Sequence, residues 1–229
     1  MYWIFIIVSF AITLAAQIHV KSSFRKYSQV RNQRGLTGAE AAHQLLLEHG
    51  ITNVRIEPIS GSLTDHYDPR ANVIRLSEDV YGSDSVAAVG VAMHEAGHAV
   101  QYAQNYAPIK VRNAIVKSTN ISSWLSYLLI FIGILVGGRG GHSALGYHIM
   151  TIGILFFCVV IFFQLVTLPV EFNASGRAVR YLKESGVFTQ EEQSGVRKVL
   201  TAAALTYVAA VAVSLLNLVR LLMIRGNRR

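Results

Sequence analysis

Four apolar runs, residues 2–20, 121–137, 146–170 and 199–224, limit what this chain can fold into. Crossing the hydrocarbon core as a helix takes roughly 17–25 mainly apolar residues, and each run meets that length. The first is interrupted only by Ser9, Thr13, Gln17 and His19, and the last only late, by Asn217 and Arg220. A mainly α membrane protein with about four transmembrane helices is therefore predicted. With 52% hydrophobic and only 15% charged residues, the composition is too apolar for an ordinary soluble domain. A cleaved signal peptide is the competing reading of 2–20. No basic segment precedes that run and it is longer than an h-region, so a retained anchor is expected.

Four spans put residues 21–120 and 171–198 on the same side of the membrane. Sixteen of the 21 Lys and Arg fall there, against Arg139, Arg225, Arg228 and Arg229 opposite, with Arg220 inside the last run. The positive-inside rule makes that side cytoplasmic. All 13 acidic residues fall on it as well, so charged chemistry is expected on one face only. The net charge of +8 sits at the ends of apolar runs without an aromatic-interleaved basic motif. It points to phospholipid head groups and the bilayer, not to nucleic acid. The single cysteine, Cys158, lies in an apolar run, which excludes an intramolecular disulfide and predicts inert packing.

Between the first two runs the chain reads as a small α+β region. After a basic connector at 25–34, Thr37-Gly38-Ala39-Glu40 forms a capping box for a helix with Ala41, Leu45 and Leu46 on its apolar face, closed by Gly50. Val54 and Ile56 alternate with Arg55 and Glu57, the period of a strand. Leu63-Thr64-Asp65-His66-Tyr67-Asp68-Pro69 reads either as a polar loop between strands or as part of a site. A second strand at 72–76 is expected to offer an exposed edge on which an extended substrate could pair. Farther on, the glycines around Arg139 predict a tight hairpin. Gly133, Gly137 and Gly141, spaced by four, fit close helix packing or simply a Gly-rich turn.

The stretch 84–104 is patterned as a helix, with Ser83 as N-cap, and carries His94-Glu95-Ala96-Gly97-His98. Residues four apart share a helix face, so both imidazoles can bind one metal ion while Glu95 stands beside it. Two imidazoles on zinc, a carboxylate that takes a proton from water and an open coordination position make up the machinery of a zinc hydrolase. The bland alternative is a buried apolar helix with two incidental histidines. A third protein ligand is needed from elsewhere. Glu171, just after Pro169 and the third run, is the best placed. It also fits a helix N-terminal carboxylate facing the dipole.

These motifs together resemble a known family. The His-Glu-x-x-His helix, followed much later by Glu171-Phe172-Asn173-Ala174-Ser175, is similar to the gluzincin arrangement. Adding the 63–69 and 91–101 stretches and Leu168-Pro169-Val170, the chain resembles the neutral zinc metallopeptidases of small bacterial membrane proteins (YugP-like). The resemblance implies a zincin-like region at 21–120 and a ligand-bearing segment at 171–198. It also implies one zinc per chain, held by His94, His98 and Glu171, with Glu95 as the catalytic carboxylate. Many gluzincins carry Asp four residues after the ligand Glu, bonded to a ligand histidine. Ser175 stands there in this chain, so that support is expected to be weaker or to come from Asn173 or Asp65. His66, Tyr67, Arg177 and Arg180 are candidate donors to the oxyanion.

The reading is thus a membrane-embedded zinc metallopeptidase acting on proteins or peptides, membrane proteins among them, from the cytoplasmic surface. Two rivals remain: an intramembrane-cleaving protease, and a non-catalytic zinc-binding scaffold. Against the first, polar Ser83, Asp84, Gln101 and Gln104 flank the metal helix. Against the second, a purely structural site has no use for a base at Glu95.

Overall fold

The computed structural model describes residues 2–137 and 143–226. The chain is mainly helical: α1 (Tyr2–Ser28), α2 (Gly38–Glu48), α3 (Glu78–Tyr81), α4 (Val86–Ala103), α5 (Ala107–Gly137), α6 (Ala144–Glu184) and α7 (Gln190–Gly226). Three short strands, β1 (Arg55–Ile59), β2 (His66–Asp68) and β3 (Val73–Ser77), complete it. Helices α1, α5, α6 and α7 are each long and apolar enough to cross a membrane. This is a mainly α membrane protein with a small α+β part. The expected hairpin around Arg139, and Gly141 with it, lie outside the described residues.

The chain divides into two compact units. One comprises Met1–Ala15, Lys110–Leu168 and Tyr207–Arg229, the other Ala16–Ile109 and Pro169–Thr206. In the first unit, Ile130 of α5, Met150, Ile154, Phe157 and Ile161 of α6, and Leu221 of α7 form a buried cluster. A Cβ on Gly133 would stand 2.8 Å from both Cβ and N of Met150, and one on Gly146 2.6 Å from the Gly137 nitrogen. Of the two readings of those spaced glycines, close packing therefore holds for Gly133 and Gly137. Cys158 lies exposed on α6 rather than packed as expected.

The second unit holds the sheet and the His-Glu-x-x-His helix. Its strand order is β1-β3-β2, with β1 parallel and β2 antiparallel to β3. The stretch 72–76 was expected to be an exposed edge. It is instead the middle of the sheet, paired on both sides, and Val73, Ile74 and Leu76 are wholly buried. An apolar, β-branched segment with little charge gains most from burial on both faces, which a central position provides. Its two neighbours, β1 and β2, are the edges, and β2 makes the 63–69 stretch part strand rather than only loop.

Local chemistry sets the helix boundaries. Thr37 and Glu40 form the capping box of α2: the Glu40 N–H donates to Thr37 Oγ1 (3.2 Å) and the Thr37 N–H to Glu40 Oε2 (2.8 Å). Gly50, at φ +68°, follows the helix end as expected. The N-cap of α4 is Ser85 and not Ser83: the Ala88 N–H donates to Ser85 Oγ (3.2 Å), and the Ser83 hydroxyl is hydrogen-bonded to Ser85 Oγ. The helix that Glu171 would open as an N-terminal carboxylate is not a separate one. It is part of α6, which continues through Pro169. Glu171 is therefore mid-helix, and the reading of it as an N-terminal dipole carboxylate is overturned.

Candidate metal site

Two helices supply the site. His94 and His98 lie one turn apart on α4, and Glu171 and Ser175 one turn apart on α6. Gly97 lets these helices meet. A Cβ there would stand 2.6 Å from the carbonyl oxygen of Ala174 and 3.1 Å from its Cα. A side chain on residue 97 would push α6 away from the two histidines. From sequence this glycine reads as a tolerable cost within a helix. Its role is set by a contact 77 positions away that no local pattern reveals.

The facing atoms converge. Glu171 Oε2 lies 3.3 Å from His94 Nε2 and 3.6 Å from His98 Nε2. The two imidazoles stand edge to face, 4.7 Å between centroids. His94 and His98 keep 16% and 12% of their side-chain surface, whereas Glu171 keeps 4%. Glu171 Oε2 is buried without a hydrogen-bond partner. An unsatisfied buried carboxylate oxygen costs free energy unless something cationic meets it.

The hydrogen bonds behind the site determine which way His98 faces. Gln101 Nε2 donates to the Val170 carbonyl (2.8 Å) and to Asn173 Oδ1 (3.0 Å). Arg177 Nε, which can only donate, also bonds Asn173 Oδ1 (2.8 Å), and another Arg177 nitrogen reaches Gln104 Oε1 (2.7 Å). Because the amide nitrogen of Gln101 is engaged on acceptors, its Oε1 is the atom that faces His98 Nδ1 at 3.0 Å. His98 Nδ1 must then carry the proton, which leaves the Nε2 lone pair of the neutral ring directed at Glu171. His94 Nδ1 meets Ser175 Oγ at 3.0 Å. Lone pairs and a carboxylate oxygen facing one another are repulsive without a cation among them. The donor set, two imidazole nitrogens and one carboxylate, suits zinc. These three side chains form a group able to hold a metal ion.

Burial pushes the His98 imidazolium down. The neighbouring Glu171 carboxylate, then the charge of Glu95 and the Gln101 hydrogen bond, outweigh it and raise His98 above the ordinary 6.5. Glu95 itself is mostly buried, and its Oε2 accepts the Tyr67 N–H at 3.0 Å. The first residue after the motif histidine is thus tied to the backbone of edge strand β2.

Ser175 supports His94 directly, and Asn173 acts on His98 through Gln101. Asp65 supports β3 instead, accepting from the Ser77 N–H (2.8 Å) and hydroxyl. The Tyr67 hydroxyl donates to Asn72 Oδ1 (2.8 Å), and its ring packs edge-on against Tyr102 at 5.4 Å. His66 Nδ1 lies 2.8 Å from the Thr64 carbonyl, Arg177 is engaged by Asn173 and Gln104, and Arg180 is exposed on α6. None of the four candidate oxyanion donors has a hydrogen bond to His94, His98 or Glu171 among the described residues. Gln101 was missed in the sequence, although its place three residues after His98 on one helix face was a usable signal.

The family model described as "Putative neutral zinc metallopeptidase" matches residues 2–226. The chain belongs to this family. It is also 45% identical over 223 residues to the "Putative membrane protease YugP" of Bacillus subtilis (strain 168), covering 97% of this chain and 96% of that protein. No solved structure matches it.

Proposed function

We propose that this chain is a membrane-anchored zinc endopeptidase, with one ion per chain held by His94, His98 and Glu171. The convergence of two imidazole Nε2 atoms on the partnerless, buried Glu171 Oε2 carries the reading. Zinc supplies the Lewis acidity that polarises a carbonyl and lets water lose a proton near neutrality. Glu95 takes that proton and delivers it to the leaving amine. The Tyr67 N–H holds one Glu95 oxygen, which orients the carboxylate and leaves the other to work. Ser175 and Gln101 hold the two rings in register. An extended substrate lies along β2, the edge strand whose Tyr67 N–H is directed at Glu95. The excess of Lys and Arg in 21–120 and 171–198 favours a site facing the cytoplasm. From there it reaches protein and peptide substrates, including membrane proteins.

The test is zinc content and peptide cleavage on the full chain purified in detergent. Wild type should hold about one zinc, Glu171→Ala should lose it, and Glu95→Gln should keep it while cleavage falls by about 10²–10⁴-fold. Full zinc affinity without Glu171 would remove it from the ligand set. Retained turnover in Glu95→Gln would remove Glu95 from the mechanism.

A further inference from the structure

A cavity of about 370 Å³ lies between α1 and α7, apart from the metal-ligating cluster. From α1 it is lined by His19, Ser23, Lys26 and Tyr27, which recur at the spacing of one helix face. From α7 it is lined by Ser194, Arg197, Lys198 and Thr201, again one face. The helices are pressed together here, since a Cβ on Gly195 would stand 2.9 Å from the Tyr27 ring. No carboxylate lines the cavity. Among the described residues, neither Arg197 nor Lys198 has an ion pair, and Lys26 only lies near the Tyr27 ring, 5.5 Å from its centroid. Two acids, Glu191 and Glu192, line an adjoining cavity that shares Tyr27, Ser194 and Lys198. There Glu192 is engaged by the Gln33 and Thr189 N–H groups, which leaves Glu191.

Three cations and four hydroxyls around one cavity are the donor set that binds a phosphate. The surface beside them changes character within a turn. Leu205, four residues after Thr201 on the same face of α7, is 43% exposed, and Ile18, next to His19, is 58% exposed. A ligand seated here meets cations at one end and apolar side chains at the other. We propose that this cavity binds the phosphate of an anionic phospholipid head group, with the acyl chains running along the apolar continuation of α7. A free inorganic phosphate satisfies the cations but not Leu205, so the amphipathic source is favoured. Basic cavities between membrane-spanning helices near the head groups have the matching field. This inference does not depend on the zinc reading.

Native mass spectrometry of the full chain in detergent, titrated separately with phosphatidylglycerol, phosphatidylcholine and inorganic phosphate, tests it. Phosphatidylglycerol should bind preferentially. The triple variant Lys26→Gln, Arg197→Gln, Lys198→Gln should weaken it by about a hundredfold, roughly fivefold per cation. A control removing three exposed cations elsewhere, Arg34→Gln, Arg70→Gln and Lys183→Gln, should leave it nearly unchanged. Ser23→Trp, which fills the cavity without altering its charge, should release the lipid too, with zinc content as the check on folding. Equal losses in both triple variants would reduce the effect to diffuse attraction and overturn the site. Inorganic phosphate binding as tightly as phosphatidylglycerol would overturn the lipid assignment.

Discussion

Where Gly97 meets Ala174, two helices of the sheet-containing unit approach backbone to backbone. Where Gly133 meets Met150, and Gly146 meets Gly137, two helices of the other unit do the same. The surroundings differ. Around Gly97 are His94, Glu95, His98, Glu171 and Ser175, whose geometry depends on the helix spacing. Around Gly133 and Gly153 are Ile130, Met150 and Ile154, with no polar work to do. In lipid, apolar burial scarcely favours one helix neighbour over the surrounding chains, so contact area obtained by small residues has to hold helices together. In the unit with the sheet, burial of Leu45, Leu46, Ile74, Leu76 and Met93 supplies the cohesion. There a glycine can be assigned to positioning. One device thus serves adhesion in one unit and chemistry in the other.

This contrast is best broken at Gly97. Gly97→Ala places a methyl group 2.6 Å from a backbone oxygen, which cannot swing aside as a side-chain end can. Zinc affinity, measured by competition with a chromophoric chelator, should fall by more than about a hundredfold, beyond the usual cost of losing an outer partner. Gln101→Leu keeps the helix contact but frees the His98 ring, and should cost about 10–100-fold in the same assay. Gln101→Glu restores an acceptor for Nδ1–H but turns a carboxylate oxygen toward the Val170 carbonyl and Asn173 Oδ1, so it should recover only part of that loss.

The pH response sharpens the same point. Because Glu171 raises His98 above 6.5, zinc must displace a proton there. Affinity should therefore fall about tenfold per pH unit below the raised value, starting at a higher pH than for a free imidazole. The sign for stability of the metal-free protein is the reverse. The contribution of His98 is fully present below about 6.5 and is lost as pH rises through its folded value. Potentiometric zinc titration and thermal unfolding of the metal-free chain across this range check both.

Gly133→Ala is the counterpart in the other unit. It should lower thermal stability by about 1–3 kcal/mol through overpacking against Met150 while leaving zinc affinity unchanged. A loss of zinc equal to that of Gly97→Ala would erase the distinction between the two contacts. The smallest expected effect is Thr37→Ala, which removes the cap of α2 and should cost about 1 kcal/mol in denaturant unfolding, again with zinc retained.

Four long apolar runs, the capping box at Thr37 and the His94–His98 spacing were legible because each is a local property: length, a three-residue reciprocal hydrogen bond, one helical turn. Charge asymmetry was legible for the same reason, being a count along the chain. Only the folded chain decided that 72–76 is the central strand and β2 an edge, since strand order depends on which strands find partners across the sheet. Likewise, α6 continues through Pro169 although a proline inside a helix forfeits a backbone hydrogen bond, so Glu171 and Ser175 share a face directed at α4. Gln101 reads in the sequence only as a polar flank of the metal helix and Gly97 only as a tolerable cost, because a hydrogen-bond relay and a backbone contact with residues 170–174 exist only after two distant helices cross. Residue types and spacing can name candidate ligands. Whether their lone pairs meet at one point is settled by the distance between helices, which long-range packing alone sets.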